Sequence, residues 1–185
     1  MIKTAEPIIY TPESIKEWFS KYGELMRENE MILQRLDEAK MREYTIKSSK
    51  LDGMPHSPSS ETDKIGNNVA KVILLEERAA KVAKEAEKLY YEIDEIINLI
   101  TGKGYADKRA ILQLKYLDCL KWSGINNSLF GDKEDFLERE DSYLRRAHKL
   151  CKDALQDLCD ILNASAENPR KFHGKSTEIP QTFQT

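Results

Sequence analysis

Two long stretches of this chain repeat apolar residues at alternating intervals of three and four, and this spacing constrains the fold more than any other feature. One repeat begins at Ile15 and the other at Ile65. Such a seven-residue repeat is typical of helices that pack along a narrow seam. The first seam comprises Ile15, Trp18, Tyr22, Leu25, Asn29, Ile32, Leu36 and Ala39. The second comprises Ile65, Val69, Val72, Glu76, Ala79, Ala83, Ala86, Tyr90, Ile93, Ile97 and Ile100.

Capping and helix-breaking residues bound both seams. Thr11 followed by Pro12 predicts the start of the first helix, and Gly102 with Gly104 predicts the end of the second. Between the seams, residues 48–62 hold two prolines among serine, glycine and charged residues, which predicts a flexible loop. The simplest arrangement is an antiparallel, coiled-coil-like helical hairpin.

The first seam is interrupted by Asn29. An asparagine on a seam commonly fixes register or oligomeric state at a cost in stability, so Asn29 is the candidate for that role. Further apolar residues widen both stripes beyond what two helices cover. Either the C-terminal domain or a second copy packs there, and we expect a homodimer with four packed helices. The off-seam residues are Phe19, Met26, Leu33, Ile73 and Ile96.

The C-terminal part of the sequence predicts three more helices. A largely apolar helix is expected from Asp107 to Leu120, a break at 121–124, a short helix ending near Gly131, and an amphipathic helix with Ser142 as its N-cap. The last helix places Leu144, Ala147, Cys151, Ala154, Leu155, Leu158 and Leu162 on one face. The predicted domains are an N-terminal segment 1–11, the hairpin 12–103, a helix-turn-helix-like domain 104–163 and a disordered tail 164–185.

Several of these residues resemble the helix-turn-helix of small phage and prophage proteins. Those proteins are related to the RinA/ArpU-type late-transcription regulators and are similar to region 4 of sigma factors. The resemblance rests on Tyr116-Leu117, Trp122, Ile125, Leu129–Gly131, Tyr143–Arg146, Ala154-Leu155, Gly53–Pro55 and Asp63–Asn67. It implies duplex DNA as the partner and a role in transcription regulation. The DNA-contacting residues would be Ser142, Tyr143, Arg145, Arg146, Lys149 and Lys152.

The connection before the last helix departs from a compact helix-turn-helix. Residues 132–141 hold six acids and two bases, where about three to four residues would suffice, and their charge repels phosphates. Two interpretations of the basic face therefore stay open. It is either a DNA-contacting surface or an ordinary solvated helix face. The second interpretation makes the protein a non-enzymatic helical interaction or assembly module that binds a phage or host protein without DNA.

Composition and motif content argue against other classes. The net charge is −3, so any attraction to nucleic acid must come from a local patch. We expect no membrane span and no secretory signal, and hence a cytoplasmic protein in a bacterial host. No enzymatic activity, cofactor or metal is expected, because the histidines lack metal-ligand or triad spacing. These are His56, His148 and His173. Buried reduced thiols are expected at Cys119, Cys151 and Cys159.

Overall fold

The structure, a computed structural model, describes residues 9–44 and 61–167, with side chains described for 9–41 and 66–165. Within these ranges the chain is all-helical, with no strand, which confirms the predicted fold class. None of the described helices is long and apolar enough to cross a bilayer. The helices are α1 (Pro12–Tyr44), α2 (Glu61–Ile97), α3 (Tyr105–Leu112), a π-helical turn (Gln113–Leu117), α4 (Trp122–Phe130) and α5 (Glu140–Glu167).

The described residues form two compact units. Unit 1 consists of the residues up to Gly23 together with those from Lys88 onward, and unit 2 consists of Glu24–Glu87. Each long helix therefore contributes one end to unit 1 and the other to unit 2. The predicted domain boundary at residue 104 lies inside unit 1, because the ends of α1 and α2 pack with the C-terminal helices.

The start of α1 is capped as the sequence predicts. The Ser14 backbone N–H donates to Thr11 Oγ1 at 3.1 Å, and the Thr11 N–H donates to Ser14 Oγ at 3.0 Å. This reciprocal pair satisfies N–H groups that the helix itself leaves unbonded. Just before it, Tyr10 is held to α5, because its backbone N–H donates to Asn163 Oδ1 and its carbonyl accepts from Asn163 Nδ2.

The first seam is confirmed. Six of its residues are buried, and Leu25 and Asn29 are half-buried. The second seam is wrong at four positions, because Val69, Glu76, Ala83 and Tyr90 are exposed. In place of Ala83, Val82 is buried. Either residue continues the spacing between Ala79 and Ala86, and the larger valine buries more apolar area. The side chain of Ile65 lies outside the described residues.

In unit 2 the two helices run antiparallel. Asn68 Nδ2 donates to the Ala39 carbonyl at 3.1 Å, and Arg78 pairs with Glu28 at 2.6 Å, so partner numbers fall along α1 as they rise along α2. The core of this unit contains Ile32, Ala79 and Val82, with Leu25 and Leu75 packed against them. Asn29 Oδ1 is also shielded from solvent, without a hydrogen-bond partner among the described residues.

The off-seam apolar residues divide between the units. Phe19 and Ile96, in unit 1, are buried, and the Phe19 ring lies 5.3 Å from that of Tyr116. Met26, Leu33 and Ile73, in unit 2, are exposed. In unit 1, the C-terminal helices thus cover the widened stripe. This is the first of the two arrangements expected from the sequence, in which the C-terminal domain packs on these residues.

The helix that the sequence predicts from Asp107 to Leu120 ends earlier in the structure. It ends as an α-helix at Leu112 and continues as a π-helical turn to Leu117, not to Leu120. The Asp118 N–H donates to the Gln113 carbonyl five residues back, at 2.9 Å. Cys119 then adopts a left-handed φ of 53°, which ends the helix and leaves this thiol exposed rather than buried.

The last two helices begin earlier than predicted. Trp122 is the first residue of α4, not part of the break before it. Helix α5 begins at Glu140, so Ser142 lies inside the helix and is not its N-cap. Glu140 and Asp141 are acids in the first turn, where the helix dipole favours negative charge. At the other end α5 continues to Glu167, so residues 164–167 belong to a helix and not to a tail, while 168–185 lie outside the described residues.

Candidate nucleic-acid interface

One side of α5 carries a continuous stripe of basic side chains. Arg145, His148, Lys149 and Lys152 follow the spacing i, i+3, i+4 and i+7, which places them on one side of a helix. All four are exposed, whereas an adjoining face of α5 is buried in unit 1. The apolar framework therefore fixes the direction in which these four side chains point. The buried face contains Ala147, Cys151, Ala154, Leu155, Leu158, Cys159 and Leu162.

Trp122 connects this stripe to the two preceding elements. Its ring centroid lies 3.8 Å from that of His148, and Lys115 Nζ lies 5.0 Å from the centre of the Trp122 ring. A lysine ammonium at this distance over an indole is attracted by the ring's negative face. The indole thus holds Lys115 of the π-helical turn close to α5. Lys121, the residue before Trp122, is exposed.

The same region includes a lysine of α1. Burial raises the pKa of the Cys151 thiol, and the positive charges of Lys115 and Lys16 oppose that rise. Both cations therefore act on one point of α5. We call the resulting surface the basic patch. Its members are Lys16, Lys115, Lys121, Arg145, His148, Lys149 and Lys152.

Tyr143 and Arg146, two of the predicted DNA-contacting residues, make other contacts. The Tyr143 ring stacks on Phe130 at a centroid distance of 5.1 Å, and its hydroxyl donates to Asp135 Oδ1 at 2.7 Å. The Arg146 guanidinium lies 5.4 Å from the centre of the Phe130 ring. Ser142 is exposed in the first turns of α5. The structure thus gathers Arg145, Lys149 and Lys152 on one side, where Ser142 lies three residues before Arg145, and it engages Tyr143 and Arg146 in other contacts.

The acidic connection is folded against the start of α5. Phe136 is buried next to the Tyr143 ring, and Arg139 pairs with Asp135 at 3.1 Å. The hydrogen bond from Tyr143, with a smaller contribution from Arg139, holds the pKa of Asp135 below its usual value. A cleft of about 470 Å³ lies between the connection and Arg145, lined otherwise by residues 137–142. Several acids therefore surround the first turn of α5.

Helix α4 is fixed against α5 from both ends. Trp122 packs on His148 at one end, and Phe130 packs on Tyr143 at the other. Between them, buried Asn126 donates from Nδ2 to the Glu140 carbonyl at 3.2 Å. This packing holds the basic patch on a rigid support. Sequence reasoning missed Lys115, Lys121 and Trp122 as parts of it, because nothing in the spacing shows which residues a π-helical turn brings together.

In the sequence, His148 is a histidine without metal-ligand spacing. Its position three residues after Arg145 was the available signal that it belongs to the stripe. Across residues 9–44 and 61–167, no group of three His, Cys, Asp or Glu side chains is arranged to hold a metal ion. His56 and His173 lie outside the described residues. Comparison with protein-family models, with curated proteins and with solved structures gives no match to this chain.

Proposed function

We propose that this protein binds duplex DNA through the exposed side of α5 and acts as a phage-type transcription regulator. The observation that carries the proposal is the stripe of Arg145, His148, Lys149 and Lys152 on a helix whose other face is buried. A helix held by its apolar face that exposes cations is the element that helix-turn-helix domains dock on DNA. Cations on such a helix neutralise phosphates and release counterions.

The middle of α5, rather than its first turn, faces DNA in this proposal. Tyr143 is tied to Asp135, and the acids of the connection surround the start of the helix. Phosphates are repelled there and attracted by Lys149 and Lys152 further along the helix. The basic contacts then position the protein on the duplex, which requires no base-specific pairing.

The test is binding of the full chain to a fluorescently labelled duplex, measured by anisotropy at several salt concentrations. The wild type should bind at low salt and lose affinity steeply as salt rises. Arg145→Glu combined with Lys149→Glu should abolish binding. Lys81→Glu combined with Lys84→Glu is the matched control, because it makes the same charge change at exposed positions of unit 2. Equal binding by both double variants contradicts the proposal.

We also propose that the protein forms a homodimer through one edge of unit 2. Leu33 and Val69 each lie seven residues before a member of the Lys40–Glu76 ion pair, so they lie on the same edge as that pair. We call Met26, Leu33, Val69 and Ile73, all exposed, the apolar edge. The other edge is charged, with the Glu28–Arg78 ion pair and with Arg35 and Lys71 seven residues from its members.

A second copy is the occupant that we assign to the apolar edge, since symmetric pairing places the same patch of both chains in contact. Sedimentation should show a dimer for the wild type and a monomer for Leu33→Glu with Ile73→Glu. The matched control, Met31→Glu with Leu74→Glu, changes exposed apolar residues outside the apolar edge and should remain dimeric. A monomeric wild type refutes the homodimer.

The apolar edge also favours the second candidate function, a non-enzymatic helical module that docks a phage or host protein. The two functions differ in their use of α5. If the wild type binds no duplex at low salt, the interaction module is the better proposal. In that case, Leu33→Glu with Ile73→Glu should abolish binding of the phage or host protein, and Arg145→Glu with Lys149→Glu should leave that binding unchanged.

A further inference from the structure

We infer that the lysines gathered around Trp122 form a second phosphate-binding site, separate from the stripe on α5. This inference rests on the proposed DNA binding and adds residues of two other elements to it. The site contains Lys115 in the π-helical turn and Lys121, the residue before α4. Its ligand is the phosphodiester backbone of a nucleic acid duplex.

Trp122 holds Lys115 close to the stripe on α5. The indole contacts the His148 ring at 3.8 Å and lies 5.0 Å below Lys115 Nζ. Because α4 is fixed against α5 at both ends, the position of Lys115 relative to the stripe is fixed too. A flexible lysine normally loses conformational entropy when it binds an anion. Lys115 has already lost part of that freedom by packing on the indole.

Cations that lie close together in this site repel one another electrostatically. Lys115 Nζ lies over the Trp122 ring, that ring contacts His148 of the stripe, and Lys121 directly precedes Trp122 in the chain. Like charges repel one another, so cations that lie close together without a carboxylate partner raise the energy of the folded state. In the described residues no carboxylate is within ion-pair distance of Lys115, Lys121 or Lys16. A polyanion would relieve this repulsion.

Duplex DNA is the polyanion that fits this site. Duplex DNA carries about one negative charge per 1.7 Å of its axis, so a duplex lying along the stripe brings further phosphates to neighbouring cations. The site around Trp122 extends the stripe from α5 to the beginning of α4. It contains no group with a rigid, planar set of donors for reading base edges. Contacts here should therefore strengthen binding to all sequences equally.

The experiment compares Lys115→Gln with Lys121→Gln against the wild type on duplexes of two unrelated sequences. Lys81→Gln with Lys84→Gln provides the charge-matched control. We expect the lysine pair around Trp122 to weaken binding by the same factor on both duplexes. Since each phosphate contact contributes about 0.9 to the slope of log K against log salt, that slope should fall by about two. The control should retain the wild-type slope.

Each other outcome has a definite meaning. If the wild type does not bind DNA, the proposed function fails. If the wild type binds and the Lys115/Lys121 variant keeps its slope and affinity, only the second site is overturned. A loss confined to one of the two sequences also overturns it, because backbone contacts cannot produce sequence preference of that kind. If polyglutamate competes as well as a duplex of equal charge, the assignment to nucleic acid phosphates is wrong.

Discussion

The hydroxyl of Tyr143 donates a 2.7 Å hydrogen bond to Asp135 Oδ1, and this contact fastens the acidic connection to the first turns of α5. The ring of Tyr143 packs near both Phe130 and Phe136, at centroid distances of 5.1 and 6.0 Å, so aromatic packing supports the contact. The sequence placed Tyr143 among the residues that contact DNA. In the structure it instead holds acids at the end of α5 where those contacts were expected.

Replacing Tyr143 by phenylalanine should raise the pKa of Asp135. The hydrogen bond from Tyr143 is the largest of the effects that lower that pKa. Because the pKa is lowered in the folded state, the stabilisation from this hydrogen bond is fully present above the usual aspartate pKa of about 3.9. It is lost as pH falls through the lower pKa of the folded state. Carboxyl resonances followed by NMR should show the Asp135 inflection at higher pH in Tyr143→Phe. An unchanged inflection would falsify the statement that the Tyr143 hydrogen bond lowers the pKa of Asp135.

Removing acid charge from the connection should strengthen the DNA binding that we propose. Glu134 and Glu138 are exposed, and their charges repel phosphates that approach α5. Glu134→Gln with Glu138→Gln should raise affinity severalfold at low salt, and the gain should shrink as salt screens the charges. Glu77→Gln with Glu87→Gln, in unit 2, is the matched control and should have little effect. An equal gain in the control would show that net charge alone matters.

The sequence predicted the helices and their buried stripes because apolar spacing is a local property. Ile15, Trp18 and Tyr22 share a face of any helix, whatever packs against it. The choice between Val82 and Ala83 depended on the partner helix, so local spacing left it open. The role of Trp122 was equally out of reach, since a π-helical turn brings Lys115 to its ring and no heptad pattern marks such a turn.

Phe19→Ala should destabilise the protein much more than Met26→Ala. The two residues are seven apart on α1 and lie on the same side of it, but Phe19 is fully buried against Tyr116 and Met26 is exposed. Truncating a buried phenylalanine costs about 3–5 kcal/mol, whereas exposed substitutions usually stay within about 0.5 kcal/mol. Urea unfolding gives both values. Similar losses of unfolding free energy in the two variants would mean that this side of α1 is equally buried in both units.

Arg109→Met should destabilise the junction between α2 and α3. The guanidinium donates to the Ile100 carbonyl from both Nε and Nη2, at 2.9 and 2.7 Å, and to the Asn98 carbonyl at 2.7 Å. These carbonyls follow the end of α2 and have no helical partner. Hydrogen bonds from a charged donor contribute about 1.5–3 kcal/mol. Hydrogen exchange should show faster opening of residues 97–101 in the variant, with Lys103→Met as the control at a nearby exposed base.

The three thiols should react at very different rates with iodoacetamide. Cys119 is exposed after the π-helical turn, whereas Cys151 and Cys159 are buried and their pKa values are raised mainly by that burial. Because the thiolate is the reactive form, a raised pKa slows both buried thiols beyond the effect of access. Mass spectrometry of the native protein should find Cys119 alkylated first, and all three alkylated in denaturant. Early modification of Cys159 would instead mean that its contact with the Tyr10 carbonyl, 2.9 Å from Sγ, opens readily.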